Sequence, residues 1–223
     1  SAFMLCKKLE EVELSEGLQT IGKSAFYKCL VLKRIKISST VAIIDDFAFY
    51  SCYQLEEVEL CEGLTEIGEH AFYHCTSLEH INLPTTIRNI CQKAFSGTKL
   101  LTINLPDGIE RTGYHAFYQG GLLTFRIPPL ITTIPMGIVE EAKRLFSVEL
   151  SESVTHVESY AFACCHSLRN LAIPPNTSIE DDEDVFRHCK DLEQLFDSDE
   201  RIINALKHRF DNLPIHKMLY YQS

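Results

Sequence analysis

No stretch of this 223-residue chain approaches 18 consecutive apolar residues, so no membrane-spanning helix is expected. The N-terminus, Ser1-Ala2-Phe3, lacks the basic and apolar regions of a signal peptide. Positive charge is scarce: 21 Lys plus Arg against 31 Asp plus Glu give a net charge of −10, which argues against a nucleic-acid footprint. There is no G-x-S-x-G elbow, no P-loop and no G-x-G-x-x-G turn. Catalysis is therefore not expected, and no catalytic or cofactor-binding residue is assigned. Histidines gather with cysteines at His70, His74 and Cys75, and at Cys164, Cys165, His166 and His188. Neither spot has the paired C-x-x-C framework of a tetrahedral zinc site, and no metal ligand is assigned. Hydrophobic residues, at 45%, are enough to build a core, which excludes gross disorder.

What the chain does have is a repeat, and a fixed period dictates architecture before local propensity does. Ala-Phe occurs at Ala2-Phe3, Ala25-Phe26, Ala48-Phe49, Ala71-Phe72, Ala94-Phe95, Ala116-Phe117 and Ala161-Phe162, with degenerate copies at Ile138-Val139 and Val185-Phe186. The spacings are 23, 23, 23, 23, 22, 22, 23 and 24 residues. The first residues already lie inside the motif, so the chain reads as a piece of a longer protein. Behind each Ala-Phe comes Leu-x-x-Val-x-Leu, as in Leu9, Val12 and Leu14 or Leu55, Val58 and Leu60. Its alternation of apolar and polar residues predicts a short strand with one buried face. A third apolar pair closes each coil, as in Leu64 and Ile67. No unit can bury its apolar residues alone, so neighbouring coils must stack.

The consensus A-F-x-x-C-x-x-L-x-x-V-x-L resembles the BspA-type leucine-rich repeats over residues 1 to about 196. The resemblance implies an α/β solenoid: a right-handed superhelix of about eight coils of 22–24 residues. A parallel sheet would line its concave side, irregular or helical segments would lie opposite, and other molecules would be bound. After Leu195 the period stops. Ile202, Ile203, Leu206 and Phe210 then fall at helical spacing, predicting a helical C-terminal cap over residues 197–223. Within it, Leu213-Pro214-Ile215-His216-Lys217-Met218 is similar to the opening of an ankyrin repeat.

Cys6, Cys29, Cys52, Cys75, Cys165 and Cys189 all lie three residues after the repeat phenylalanine and form one column. Parallel coils rise by about 4.8 Å, and parallel Cβ vectors keep that separation, so cross-coil disulfides are disfavoured. Buried thiols and an odd total of nine cysteines favour a reducing, intracellular compartment; the sequon Asn176-Thr177-Ser178 keeps an extracellular one open. His70 and His115 share a column with Ser24, Phe47 and Lys93, and that position reads as surface.

Two further columns flank the inward strand residue. One runs Glu11, Arg34, Glu57, His80, Thr102, Thr124, Ser147, Asn170; the other runs Glu13, Lys36, Glu59, Asn82, Asn104, Arg126, Glu149, Ala172. Cations between glutamates pair across the first three coils. The later, more neutral coils make His80, Asn82, Thr102, Asn104, Thr124, Arg126 and Glu149 the expected contact zone for a protein partner on the concave face. Arg126 is its anchor, because no carboxylate stands at the neighbouring Asn104. Tyr27, Tyr50, Tyr73 and Tyr118 form a possible second, convex surface. The alternatives are a spacer module with no concave ligand, or a surface adhesin or glycan-binding domain.

Overall fold

The computed structural model describes residues 1–180 and 184–192. They form a parallel β-solenoid whose coils each carry two short strands. The first row comprises β1 (Glu11–Glu13), β3 (Arg34–Lys36), β5 (Glu57–Glu59), β9 (Thr124–Arg126), β11 (Ser147–Glu149) and β13 (Asn170–Ala172). The second row comprises β2 (Thr20–Ile21), β4 (Ile43–Ile44), β6 (Glu66–Ile67), β7 (Asn89–Ile90), β8 (Arg111–Thr112), β10 (Thr133–Ile134), β12 (His156–Val157) and β14 (Ser178–Ile179). From β2 to β14 the chain makes about seven turns. The repeat predicts about eight coils, and the described residues carry about seven turns; a further coil opening at Val185-Phe186 runs past them. The expected cap residues Ile202, Ile203, Leu206 and Phe210 and the ankyrin-like run 213–218 also lie outside them.

All pairing is parallel and in register, as in Val12 opposite Ile35 and Ile35 opposite Val58. The period-two pattern therefore sends Ile35, Val58, Phe125, Val148 and Leu171 into one continuous core and their flanking residues into solvent. Phenylalanine forms the spine. Phe3, Phe26, Phe49, Phe72, Phe95 and Phe117 stack face to face at 5.0–5.7 Å between neighbours.

The segment opposite the first row is not helical: no α-helix occurs among the described residues, which corrects the α/β expectation. Each Ala-Phe turn is bracketed by two left-handed residues four apart. Examples are Ser24 and Lys28, Phe47 and Ser51, and His70 and His74, with φ between 54° and 57°. This alternation divides the backbone donors. Ala25, Tyr27 and Cys29 donate three residues back within their own coil, while Ser24, Phe26 and Lys28 donate to Asp46, Ala48 and Tyr50 of the next. A helix would send every N–H along its own axis and leave neighbouring coils unjoined.

Both rows are interrupted near the middle. The first row splits into β1-β3-β5 and β13-β11-β9, with no strand at His80–Asn82 or Thr102–Asn104. Neither Glu79 nor His80 donates to Glu56, although Glu56 and Glu57 both donate to Lys33 one coil earlier. The gap runs from the last 23-residue coil, at His80–Asn82, into the first coil whose period shortens to 22, at Thr102–Asn104. In both short coils the missing residue falls in the turn before the strand, at Thr98-Lys99-Leu100 and Gly120-Gly121-Leu122.

The second row breaks between β8 and β10, and here the cause is one residue. Asp45, Gly68, Cys91, Gly113, Glu158 and Glu180 hold equivalent positions, and each donates its N–H to the preceding coil. Pro135 holds that position after β10 and has no N–H. The carbonyl of Thr112, which Pro135 would otherwise serve, accepts no backbone bond. Thr132 likewise makes no bond to Glu110, the contact that Thr155 makes to Thr132 in the next coil.

Candidate concave and convex surfaces

The first three coils carry a charge ladder on the concave face. Arg34 lies 3.6 Å from Glu11 and 3.5 Å from Glu57, and Lys36 lies 2.8 Å from Glu59. These groups are more than half exposed, so solvent screens each pair and its contribution to stability is small. They offset like-charge repulsion between the glutamates. The structure brings Thr124, Arg126 and Glu149 together on β9 and β11, and Arg126 faces Glu149 in register. His80, Asn82, Thr102 and Asn104 are exposed as expected, but they stand on the interrupted part of the sheet. Arg126 is not free of carboxylates. Its guanidinium donates to Asp107 at 2.9 Å, from the turn after Leu105, so the anchor is already engaged.

One feature of this face went unnoticed in the sequence. The column just before the strand runs Glu10, Lys33, Glu56, Glu79, Leu101, Leu123, Phe146, Arg169. Leu123 donates to Leu101 and Phe146 to Leu123, both at 2.9 Å, so three apolar residues stand on consecutive coils. Leu101 and Leu123 are half-buried, and Phe146 is 43% exposed. The outward strand residues beside them, Thr102, Thr124 and Ser147, are uncharged. The signal lay in a charged column turning apolar for three repeats.

On the convex side Tyr27, Tyr50 and Tyr73 stack at 4.9 Å, as aligned coils require. Tyr118 does not continue the stack. Ser96 occupies the intervening coil, and the Tyr118 hydroxyl donates to Glu141 at 3.1 Å. The position read as surface at His70 and His115 is largely covered: their side chains are 16% and 21% exposed. Its variety has a backbone cause, because Ser24, Phe47, His70, Lys93, His115 and Gly137 all adopt the left-handed conformation there. His70 stacks on Phe47 at 4.9 Å, while the His115 ring lies over Gly137, where a Cβ would fall 2.2 Å from Nδ1. Burial lowers both imidazole pKa values. No group of three or more His, Cys, Asp or Glu side chains is arranged to hold a metal among the described residues.

The cysteine column acts as more than small apolar filling. From Cys29 onward each thiol hydrogen-bonds the carbonyl one coil earlier: Cys29 to Phe3, Cys52 to Phe26, Cys75 to Phe49, Cys165 to Val139 and Cys189 to Phe162, at 3.0–3.2 Å. Burial pushes the Cys52 thiol up to about 12 and Cys75 and Cys165 well above 9.0. A neutral, inaccessible thiol is a poor nucleophile. In native buffer Cys52, Cys75 and Cys165 should therefore resist a thiol reagent that labels the partly exposed Cys61 and Cys164. Rapid labelling of all nine cysteines would overturn this assignment. Thr177 of the sequon is also structural, its buried hydroxyl donating to Val154 at 2.8 Å.

Comparison with known proteins agrees with this geometry. A leucine-rich repeat protein from Bacteroides ovatus ATCC 8483 superposes with a TM-score of 0.73 at 28% identity, covering 76% of this chain. The chain spans 47% of that protein's length. The T. pallidum leucine-rich repeat protein gives a TM-score of 0.60 at 27% identity, covering 90% of this chain and 83% of its own. No curated protein matches the sequence. The family model for the BspA type leucine rich repeat region matches in six copies, over residues 1–123, 65–193 and 112–221. Matched along nearly its whole length, the chain belongs to the BspA-type leucine-rich repeat family.

Proposed function

We propose that this chain is a non-catalytic protein-binding module that receives a partner across the later coils of its concave face. Leucine-rich repeats of this type generally mediate protein interaction or surface binding. The observation that carries the location is the apolar run Leu101, Leu123 and Phe146 beside uncharged Thr102 and Thr124, next to a sheet half whose charges pair among themselves. Burying this patch removes apolar area from water, whereas burying the first three coils would strip hydration from paired charges. Asn104, Arg126 and Glu149 form its polar rim. The buried thiols of Cys52, Cys75 and Cys165 support a reducing compartment as part of the same reading.

The test uses the chain as bait and follows a captured partner by titration. Phe146→Glu and Asn104→Arg should each weaken binding at least about tenfold, or about 1.4 kcal/mol. Arg126→Glu should do the same while also losing its Asp107 contact. Glu13→Gln, on the self-paired coils, should change little. Unchanged affinity in the first three variants, with the fold intact, would move the contact to the tyrosine strip or leave the chain a spacer.

A further inference from the structure

The break between β8 and β10 opens a cleft of about 560 Å³, within the range of ligand pockets. Its polar lining includes two backbone acceptors left without their usual donors. The Glu110 and Thr112 carbonyls have lost the backbone donors that every other described coil boundary in this row supplies, because Pro135 carries no N–H and Thr132 does not reach Glu110. The two carbonyls lie two residues apart on one strand edge, so they point the same way about 6.6 Å apart. The Thr112 hydroxyl oxygen, shielded from solvent, also has no partner. Around them stand the carboxylates of Glu66, Glu110 and Glu158 against one guanidinium, Arg111, which makes no ion pair among the described residues. The Glu158 carboxylate already accepts the Met136 N–H at 2.9 Å. Apolar walls come from Leu130, 54% exposed, and Tyr114, 47% exposed.

We propose that this cleft holds the arginine side chain of a partner polypeptide, as a second site distinct from the concave patch. A guanidinium presents five donors in a plane and can serve both orphaned carbonyls and a carboxylate together, whereas an ammonium is a point donor too compact to reach both carbonyls. The aliphatic stem of the arginine lies along Leu130 and Tyr114. The site exists because one coil boundary lacks its ladder, so its selectivity is tied to Pro135.

The experiment is fluorescence anisotropy with a labelled Gly-Gly-Arg-Gly-Gly peptide and its citrulline counterpart, which keeps the shape and removes the charge. The arginine peptide should saturate, and the citrulline peptide should bind at least about tenfold more weakly. Glu110→Gln should weaken the arginine peptide by at least about fivefold, and Glu13→Gln, on the concave sheet, should leave it unchanged. Pro135→Ala restores the missing N–H, so it should abolish binding while raising the denaturation midpoint. The proposal is overturned by no binding at millimolar peptide, by equal binding of the citrulline peptide, or by equal weakening in both glutamate variants, which would indicate general attraction to an acidic chain. It is also overturned if free arginine competes more strongly than the peptide, which would assign the cleft to a small molecule. Should Pro135→Ala fail to fold, the glutamate pair and the citrulline control still decide.

Discussion

Phe72→Ala is expected to destabilise the solenoid by about 3–5 kcal/mol, read as a fall in the urea midpoint. Phe72 is fully buried and stacks on Phe49 at 5.0 Å and Phe95 at 5.2 Å, so its removal opens a cavity and cuts the spine at one point. No neighbour can collapse into the gap without shifting two coils that are joined by backbone bonds on both sides of the Ala-Phe turn. Tyr73→Ala, one residue along, should cost roughly 1 kcal/mol, because that ring covers a seam and is only half-buried. Equal losses for the two variants would contradict the division between spine and seam.

The second large effect is alkaline. Cys52 is held from 9.0 up to about 12 because burial disfavours the thiolate. The folded chain therefore keeps a proton that the unfolded chain releases. The stability this represents is whole below pH 9 and is lost as the pH rises toward 12, amounting to about 4 kcal/mol at the upper limit, with most of that loss already present at pH 11. Cys75 and Cys165 act in the same direction. Denaturation at pH 8 and pH 11 should thus show a steeper loss in the parent chain than in Cys52→Ala, which has no thiol to ionise there. Parallel pH profiles would mean that Cys52 is accessible to hydroxide in the folded chain.

The repeat made the inside of this molecule readable. Phe26, Phe49, Phe72 and their kin recur at one phase, and stacking forces them into a spine. The flanking columns followed from period two, and the Arg34 and Lys36 pairings from register. Two features escaped because they reside in the backbone. The left-handed position is held by Ser24, Phe47, His70, Lys93, His115 and Tyr160, which share no side-chain chemistry, and by glycine only at Gly137 among the described residues. Pro135 stands in a column with Asp45, Gly68, Cys91, Gly113 and Glu158, where only the N–H is common. Read as a column of donors, Pro135 is the exception that breaks the sheet. The Asp107 contact of Arg126 comes from a turn 19 residues away, which column reasoning does not compare.

The left-handed pairs have a consequence for how the chain unfolds. Each non-glycine residue in that conformation costs about 1–2 kcal/mol, so an isolated coil is unfavourable and gains its stability from its neighbours. Such an array behaves as a one-dimensional chain with weak sites and strong nearest-neighbour coupling. Loss of one interface leaves two strained faces, and melting runs on from there. Backbone coupling is thinnest between the coils of β8 and β10, where the second-row ladder is gone and the backbone bonds left are the one from Leu123 and those from His115, Phe117 and Gln119, beside the Arg126–Asp107 ion pair. The solenoid is accordingly expected to open first at that boundary, giving two cooperative blocks, one ending near Thr112 and one beginning near Thr133. Amide hydrogens on either side would exchange as separate families, and a partner gripping both blocks would merge them into one.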